Sequence, residues 1–196
     1  MKDTVHREVL AAATETPTRV RSLAQANGEI TLDKPGASLR MCFMVPSVSV
    51  QVVPTRKLAA VRRQVRLGEV GSVWRPALDL VWAYVRTNPG LRTDGHNVFL
   101  YRHPEYRDAL MDVDFGVEVT RSFDRCGEVR ETDTPEGEAA VATHIGPYER
   151  LSETHNAVIA WAKENNRKLA GYSMEIYGDW SDNASDLETT VIYLLQ

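Results

Sequence analysis

Ala139-Ala140-Val141-Ala142-Thr143-His144-Ile145-Gly146-Pro147-Tyr148-Glu149 is the stretch from which the rest of the chain is read. Ala139–His144 has the small, apolar make-up of a buried strand. Ile145-Gly146-Pro147 is a sharp turn, and Pro147 stands near the first helical position, where its missing donor costs little. Beyond it, Leu151, Thr154, His155, Val158, Ile159 and Ala162 recur at three and four residues, which marks the buried face of a helix. Asn165-Asn166 ends that helix, and Tyr172–Tyr177 and Leu187–Leu195 read as strands. The segment is therefore strand, helix, strand, strand.

The same order occurs earlier in the chain. Ser47–Val53 alternates Val48, Val50 and Val52 with polar neighbours, and Leu58–Val65 continues as a strand beyond a bend at Pro54. Val70, Val73, Trp74, Ala77, Val81, Tyr84 and Val85 form one apolar helical face, stopped by Asn88-Pro89-Gly90. Asn97–Tyr101 and Val113–Val119 read as strands. The halves, about 47–120 and 121–196, look like a diverged internal repeat. Ala59-Ala60-Val61 matches Ala139-Ala140-Val141, and Phe99-Leu100-Tyr101 matches Glu175-Ile176-Tyr177. Asp112 to Val117 matches Asp186 to Val191 in spacing, and Trp82 and Trp161 take equivalent helical places. Each unit buries one sheet face under its helix. Two units side by side leave a cleft, where small-molecule sites commonly lie.

Composition narrows the function classes. The chain has 196 residues, 43% apolar and 26% charged, with a net charge of -4. That is an ordinary globular balance, and it argues against binding nucleic acid through overall positive charge. Residues 47–92 are locally basic, through Arg56, Lys57, Arg62, Arg63 and Arg66 among others, but no aromatics interleave with them as a single-strand groove would prefer. No apolar run approaches the roughly 18 residues of a membrane helix. The N-terminus lacks a secretory layout, and the two cysteines, Cys42 and Cys126, suggest neither a zinc site nor a disulfide scaffold. A cytoplasmic protein is expected. Residues 1–46 read as an N-terminal extension, a tail or an extra hairpin, with a short helix over His6–Thr14 and short strands at Ile30–Leu32 and Met41–Val45.

His144-Ile145-Gly146-Pro147-Tyr148-Glu149, then Trp161, Gly171 and Glu175-Ile176-Tyr177, resemble the signature of GyrI-like small-molecule-binding domains. The resemblance covers roughly Val48 to Gln196. It implies an α+β fold: two pseudo-symmetric strand–helix–strand–strand modules, an antiparallel sheet and a central aromatic cleft with one buried acid. Glu175 matches that acid, which in the family's multidrug-responsive regulators meets lipophilic cations, and Tyr148 matches the tyrosine of the turn. Those regulators carry a DNA-binding domain ahead of the cleft; residues 1–46 show no such pattern, so direct DNA binding is not expected.

The residues themselves support a binding site. Strand positions two apart share a face, so Glu175 sides with Tyr177 and Phe99 with Tyr101. A flat cation gains roughly 0.5–2 kcal/mol on each aromatic face. The expected ligand-binding set is Glu175, Tyr177, Tyr148, Phe99, Tyr101, Trp82 and Trp161. Core packing is the competing reading for the two tryptophans, a surface ion pair for Glu175, and a structural role for His144. His96, His103, His144 and His155 show no metal-ligand spacing, and neither a metal nor a cofactor is expected. The leading function is a non-catalytic module that sequesters or senses hydrophobic, often cationic, molecules. The alternatives are a hydrolase of electrophilic cyclopropane-containing compounds, with Glu175 acting on water and Tyr148 donating a hydrogen bond, and a gyrase-interacting protein. A protein partner stays open.

Overall fold

The computed structural model describes residues 46–92, 95–104, 106 and 109–196. The readings for residues 1–45 lie outside them. In chain order the elements are β1 (Ser49–Val53), β2 (Lys57–Val65), α1 (Val70–Thr87), β3 (Asn97–Arg102), β4 (Met111–Glu118), β5 (Arg130–Asp133), β6 (Gly137–Ile145), α2 (Leu151–Glu164), β7 (Leu169–Tyr177) and β8 (Glu188–Leu195). All strands join one antiparallel sheet in the order β1-β6-β8-β7-β3-β4-β2-β5. This is the α+β fold expected. The short, polar Arg-Glu-Thr-Asp of β5 carried no apolar alternation, and the sequence reading missed it.

Exchanging β1 with β5, β2 with β6, β3 with β7 and β4 with β8 maps the sheet order onto itself, so the repeat is a pseudo-twofold between β3 and β7. Each leading strand is donated across that axis: β1 pairs with β6, and β5 pairs with β2. Only residues 54–56 separate β1 from β2, and 134–136 separate β5 from β6, although these strands lie at opposite ends of the sheet order. The sheet must therefore curl until its edges meet. The two links bond to each other there: Thr134 N–H donates to Arg56 O at 2.9 Å, and Arg56 N–H donates to Thr134 Oγ1 at 2.8 Å.

Both helices lie on one face of the sheet. Helix α1 buries Ala77, Leu78, Val81 and Val85 against Ala59, Val61, Phe99, Val113, Phe115 and Val117. Helix α2 packs Leu151 and Val158 with Ala140, Ala142, Val191 and Tyr193. Ile159, expected on this face, is exposed. On the other face, Leu58, Ala60, Val98, Leu100, Met174, Ile176 and Ile192 form a third cluster, closed by the curl of the sheet. Burying each valine, leucine, isoleucine, methionine or phenylalanine among these is worth about 1.5–3 kcal/mol relative to exposure.

These faces correct the repeat alignment. Ala59 and Val61 face α1, but Ala140 and Ala142 face α2, so the first strands were matched one residue out. Phe115 stands opposite Phe99 as Val191 stands opposite Glu175, so the last strands were matched two residues out. The match of Phe99 with Glu175 fits the register, because the two stand directly opposite each other where β3 and β7 pair.

Candidate functional site

The His-x-Gly-Pro-Tyr turn is built to present one ring. Gly146 takes φ of +128°, a region open to glycine and strained for other residues. Pro147 follows at φ of -67°, ready for the 3-10 turn Tyr148–Arg150 that leads into α2. His144 holds the turn from below. Its Nε2 lies 3.0 Å from Pro147 O, and its Nδ1 lies 3.1 Å from Thr154 Oγ1. A carbonyl only accepts, so Nε2 carries the proton and Nδ1 accepts from the threonine hydroxyl. His144 is thus a strut between strand, turn and helix. Thr154→Val removes the donor and leaves Nδ1 unsatisfied. It should cost about 1–3 kcal/mol in urea unfolding; an unchanged midpoint would dismiss the strut.

The turn sets Tyr148 against Tyr177, ring centroids 5.5 Å apart and nearly perpendicular. Burial raises the Tyr148 phenol above its ordinary value. Tyr177 also packs on Phe99 at 4.9 Å, and Phe99 packs on Phe115 at 4.8 Å. Trp74, from the start of α1, reaches Phe99 at 6.3 Å.

Glu175 lies at the centre of this aromatic group and is 6% exposed. Tyr101 and Tyr177 are equivalent in the repeat, and the twofold brings their hydroxyls to the same oxygen. They donate to Glu175 Oε2 at 2.8 and 2.6 Å. Burial, and then the charge of Glu175, pushes both phenols well above their ordinary range, so they remain neutral donors. The other oxygen, Oε1, lies 2.9 Å from His155 Nε2. His155 Nδ1 meets Tyr193 OH at 2.9 Å. Tyr193 stands opposite Ser173 in the β7–β8 register, and its phenol is pushed up to about 12, chiefly by burial. Ser173 Oγ lies 2.7 Å from His103 Nε2. The His103 ring stacks between Tyr193 and Tyr101, at 5.9 and 6.4 Å.

Five of the seven expected residues thus converge: Glu175, Tyr177, Tyr148, Phe99 and Tyr101. Trp82 packs in the α1 cluster with the Arg92 guanidinium 4.6 Å from its ring, and Trp161 packs in the α2 cluster. His155, Tyr193, Ser173, His103 and Trp74 were not among the expected site residues. The periodicity places His155 on the helical face, and nothing in its spacing from Glu175 pairs a helix residue with a strand residue.

Two buried carboxylates in the sheet differ in their partners. Asp114 is fully buried on the face away from the helices and is met by Arg62, Arg102 and Arg130. Among the described residues, the ion-pair partner of Glu175 is His155 alone. The basic stretch noted in the sequence is occupied by acids: Arg56 with Glu118, Lys57 with Glu131 and Asp133, Arg62 with Asp112 and Asp114, Arg63 with Glu128, and Arg66 with Glu69. The charge argument for an anionic partner or for gyrase therefore does not rest on these five residues. Among the described residues, no helix is long and apolar enough to cross a membrane.

Comparison with known proteins agrees with this architecture. The EcmrR C-terminal domain superposes with a TM-score of 0.65 at 21% identity, over 78% of this chain and 99% of that one. SAV2435 bound to tetraphenylphosphonium gives 0.58 at 12% identity, over 76% and 94%. A hydrolase from Listeria innocua gives 0.51 at 14% identity, over 76% and 91%. No curated protein matches the sequence. The model of the GyrI-like small molecule binding domain matches residues 46–195, the span that carries the duplicated sheet and the Glu175 group, and the chain belongs to that family.

Proposed function

We propose that this chain binds hydrophobic, often cationic, small molecules over the β3–β7 strip, with Glu175 as the charge partner. Phe99, Tyr101, Tyr177 and Tyr148 are the aromatic walls, and Trp74 takes the place expected for Trp82 and Trp161. The observation that carries this reading is the environment of Glu175. A buried carboxylate is costly unless paired. Here phenols and an imidazole solvate it, without a lysine or arginine salt bridge among the described residues. A carboxylate among aromatic faces is the complement of a lipophilic cation. The helices pack principally on β2 and β4 and on β6 and β8, which leaves β3 and β7 flanked rather than roofed. Entry requires the side chains over Glu175 to part. The structure of SAV2435 with tetraphenylphosphonium makes that cation a suitable probe. The test is a fluorescence titration with a panel of cationic aromatic dyes, with tetraphenylphosphonium as competitor. Saturable micromolar binding that the competitor displaces is expected; no binding across the panel overturns the proposal.

Hydrolysis of an electrophilic, cyclopropane-containing compound is the second reading. The observation favouring it is the 2.9 Å contact of Glu175 with His155, which supplies a base and a partner for it. Time-dependent product formation would support it. A stoichiometric complex without turnover would dispose of it.

A further inference from the structure

The face of the sheet that carries Glu175 continues past it along β3 and β7. Strand positions two apart share a face, so Ser173 follows Glu175 on β7 and His103 follows Tyr101 just beyond the end of β3. Tyr101 stands opposite Ser173 and leans one pair along to bond Glu175. His103 repeats that step. Its backbone N–H donates to Gly171 O at 2.8 Å, and its ring leans to Ser173, with Nε2 2.7 Å from Oγ. Position 171, the next in line on β7, is glycine and adds no side chain. The His103 ring lies between Tyr101 and Tyr193, at 6.4 and 5.9 Å. The face is therefore graded along the strands. Trp74, Phe99, Tyr177 and Tyr148 make one end aromatic, Glu175 stands in the middle, and His103 and Ser173 make the other end polar.

We infer that the site extends to His103 and Ser173 and selects cations that carry a neutral hydrogen-bonding arm, a hydroxyl above all, about 7 Å from the charge, the spacing of two strand residues. The inference rests on the proposed cation site at Glu175. A neutral imidazole has one N–H and one lone pair. His103 Nε2 uses one of them on Ser173, and Nδ1, which has no partner among the described residues, holds the other. A hydroxyl meets Nδ1 in either state, because it both gives and accepts. His103 is partly exposed, whereas Ser173 and Tyr193 are buried, so the imidazole is the member of this end that an arriving arm reaches. Burial chiefly holds His103 below its ordinary value, so the arm meets no positive charge there. A carboxylate arm would find no counter-charge at this end and would lie near Glu175, of like sign. An alkyl arm would cover Nδ1 without bonding it, and a polar atom cut off from water in this way carries a penalty.

The test uses the full chain and two matched pairs of triphenylphosphonium cations at neutral pH: hydroxybutyl against pentyl, and hydroxyethyl against propyl. Within each pair a hydroxyl replaces a methyl group and nothing else changes. The longer arm spans the two-residue spacing, and the shorter does not. Hydroxybutyl is expected to bind at least about fivefold more tightly than pentyl, about 1 kcal/mol, and hydroxyethyl no more tightly than propyl. Ring-nitrogen NMR should show His103 Nδ1 shifting with the hydroxybutyl cation and not with the pentyl one. His103→Phe, which keeps a stacked ring and removes both nitrogens, is expected to reverse the preference within the longer pair while both cations still bind. The cation series and the NMR read the unmodified protein, so they decide the matter even if the variant does not fold. A pentyl cation that binds as tightly as hydroxybutyl, an equal gain in the shorter pair, or a preference that His103→Phe leaves intact overturns the polar arm and leaves the cation site standing. Failure of all four cations to bind removes both.

Discussion

Asp114→Asn is expected to destabilise the fold by about 3 kcal/mol, near the lower end of the cost of breaking a buried ion pair by removing one partner. The side chain has no solvent exposure. Arg62 meets it through Nε at 2.9 Å and Nη2 at 2.8 Å, Arg130 through Nη2 at 3.1 Å, and Arg102 closes the third side. An asparagine keeps the volume but removes the charge, and it turns an amide toward guanidinium groups that can only donate. The arginines retain between 26% and 34% of their side-chain surface in water, which limits the penalty. Urea unfolding reads the loss directly. The pH dependence checks its origin. Burial alone would raise the Asp114 carboxyl, but the bonds from Arg62, Arg102 and Arg130 outweigh it and hold the group below its ordinary 3.8. A depressed carboxyl contributes stability that is present above its unfolded value and lost as the pH falls through the folded one. The gap between the natural protein and the variant should therefore be full at neutral pH and narrow below about pH 4. A gap that persists into acid would mean that shape, not charge, sets the cost.

Glu175→Gln should do the reverse, with little change in stability and a large loss of cation binding. Glutamine can reproduce every bond. Its carbonyl accepts from Tyr101 and Tyr177, and its amide donates to His155 Nε2 when the imidazole carries its proton on Nδ1, toward Tyr193. What disappears is the charge. A unit charge about 4 Å from a cation gives about 4 kcal/mol of gross attraction at an effective dielectric of 20, part of which desolvation removes. A loss of at least about tenfold in the affinity for cationic dyes is expected, or about 1.4 kcal/mol. The unfolding midpoint should change little, because no bond of the group is lost. Undiminished affinity would leave aromatic stacking alone as the source of binding.

The two helices, the strands that flank them and the turn before α2 were legible because each has its own period or punctuation. The match of Phe99 with Glu175 was legible too, and it led to the two tyrosines that share Oε2. The faces of β2 and β6 were not. Ala59-Ala60-Val61 and Ala139-Ala140-Val141 read the same in either phase, since side chains this small fit on either side of a strand, and only the partner strand decides. The donation of β1 and β5 was hidden as well. Residues 54–56 read as a bend between consecutive strands, but they cross from one end of the sheet to the other. His155 and His103 escaped because contacts from a helix and from the end of β3 to residues of β7 and β8 have no spacing in one dimension.

The exchange of leading strands bears on how this molecule comes into being. When the first module has left the ribosome, its β2 still lacks β5, and β1 has nothing to pair with until β6 is synthesised. At roughly 5–20 residues per second, several seconds pass with two strands unmatched. Neither half is a finished product, so a chain cut between the modules should yield fragments that seek each other rather than two small proteins. Each half lends a strand to the other, so neither can be removed without leaving an edge of its partner bare.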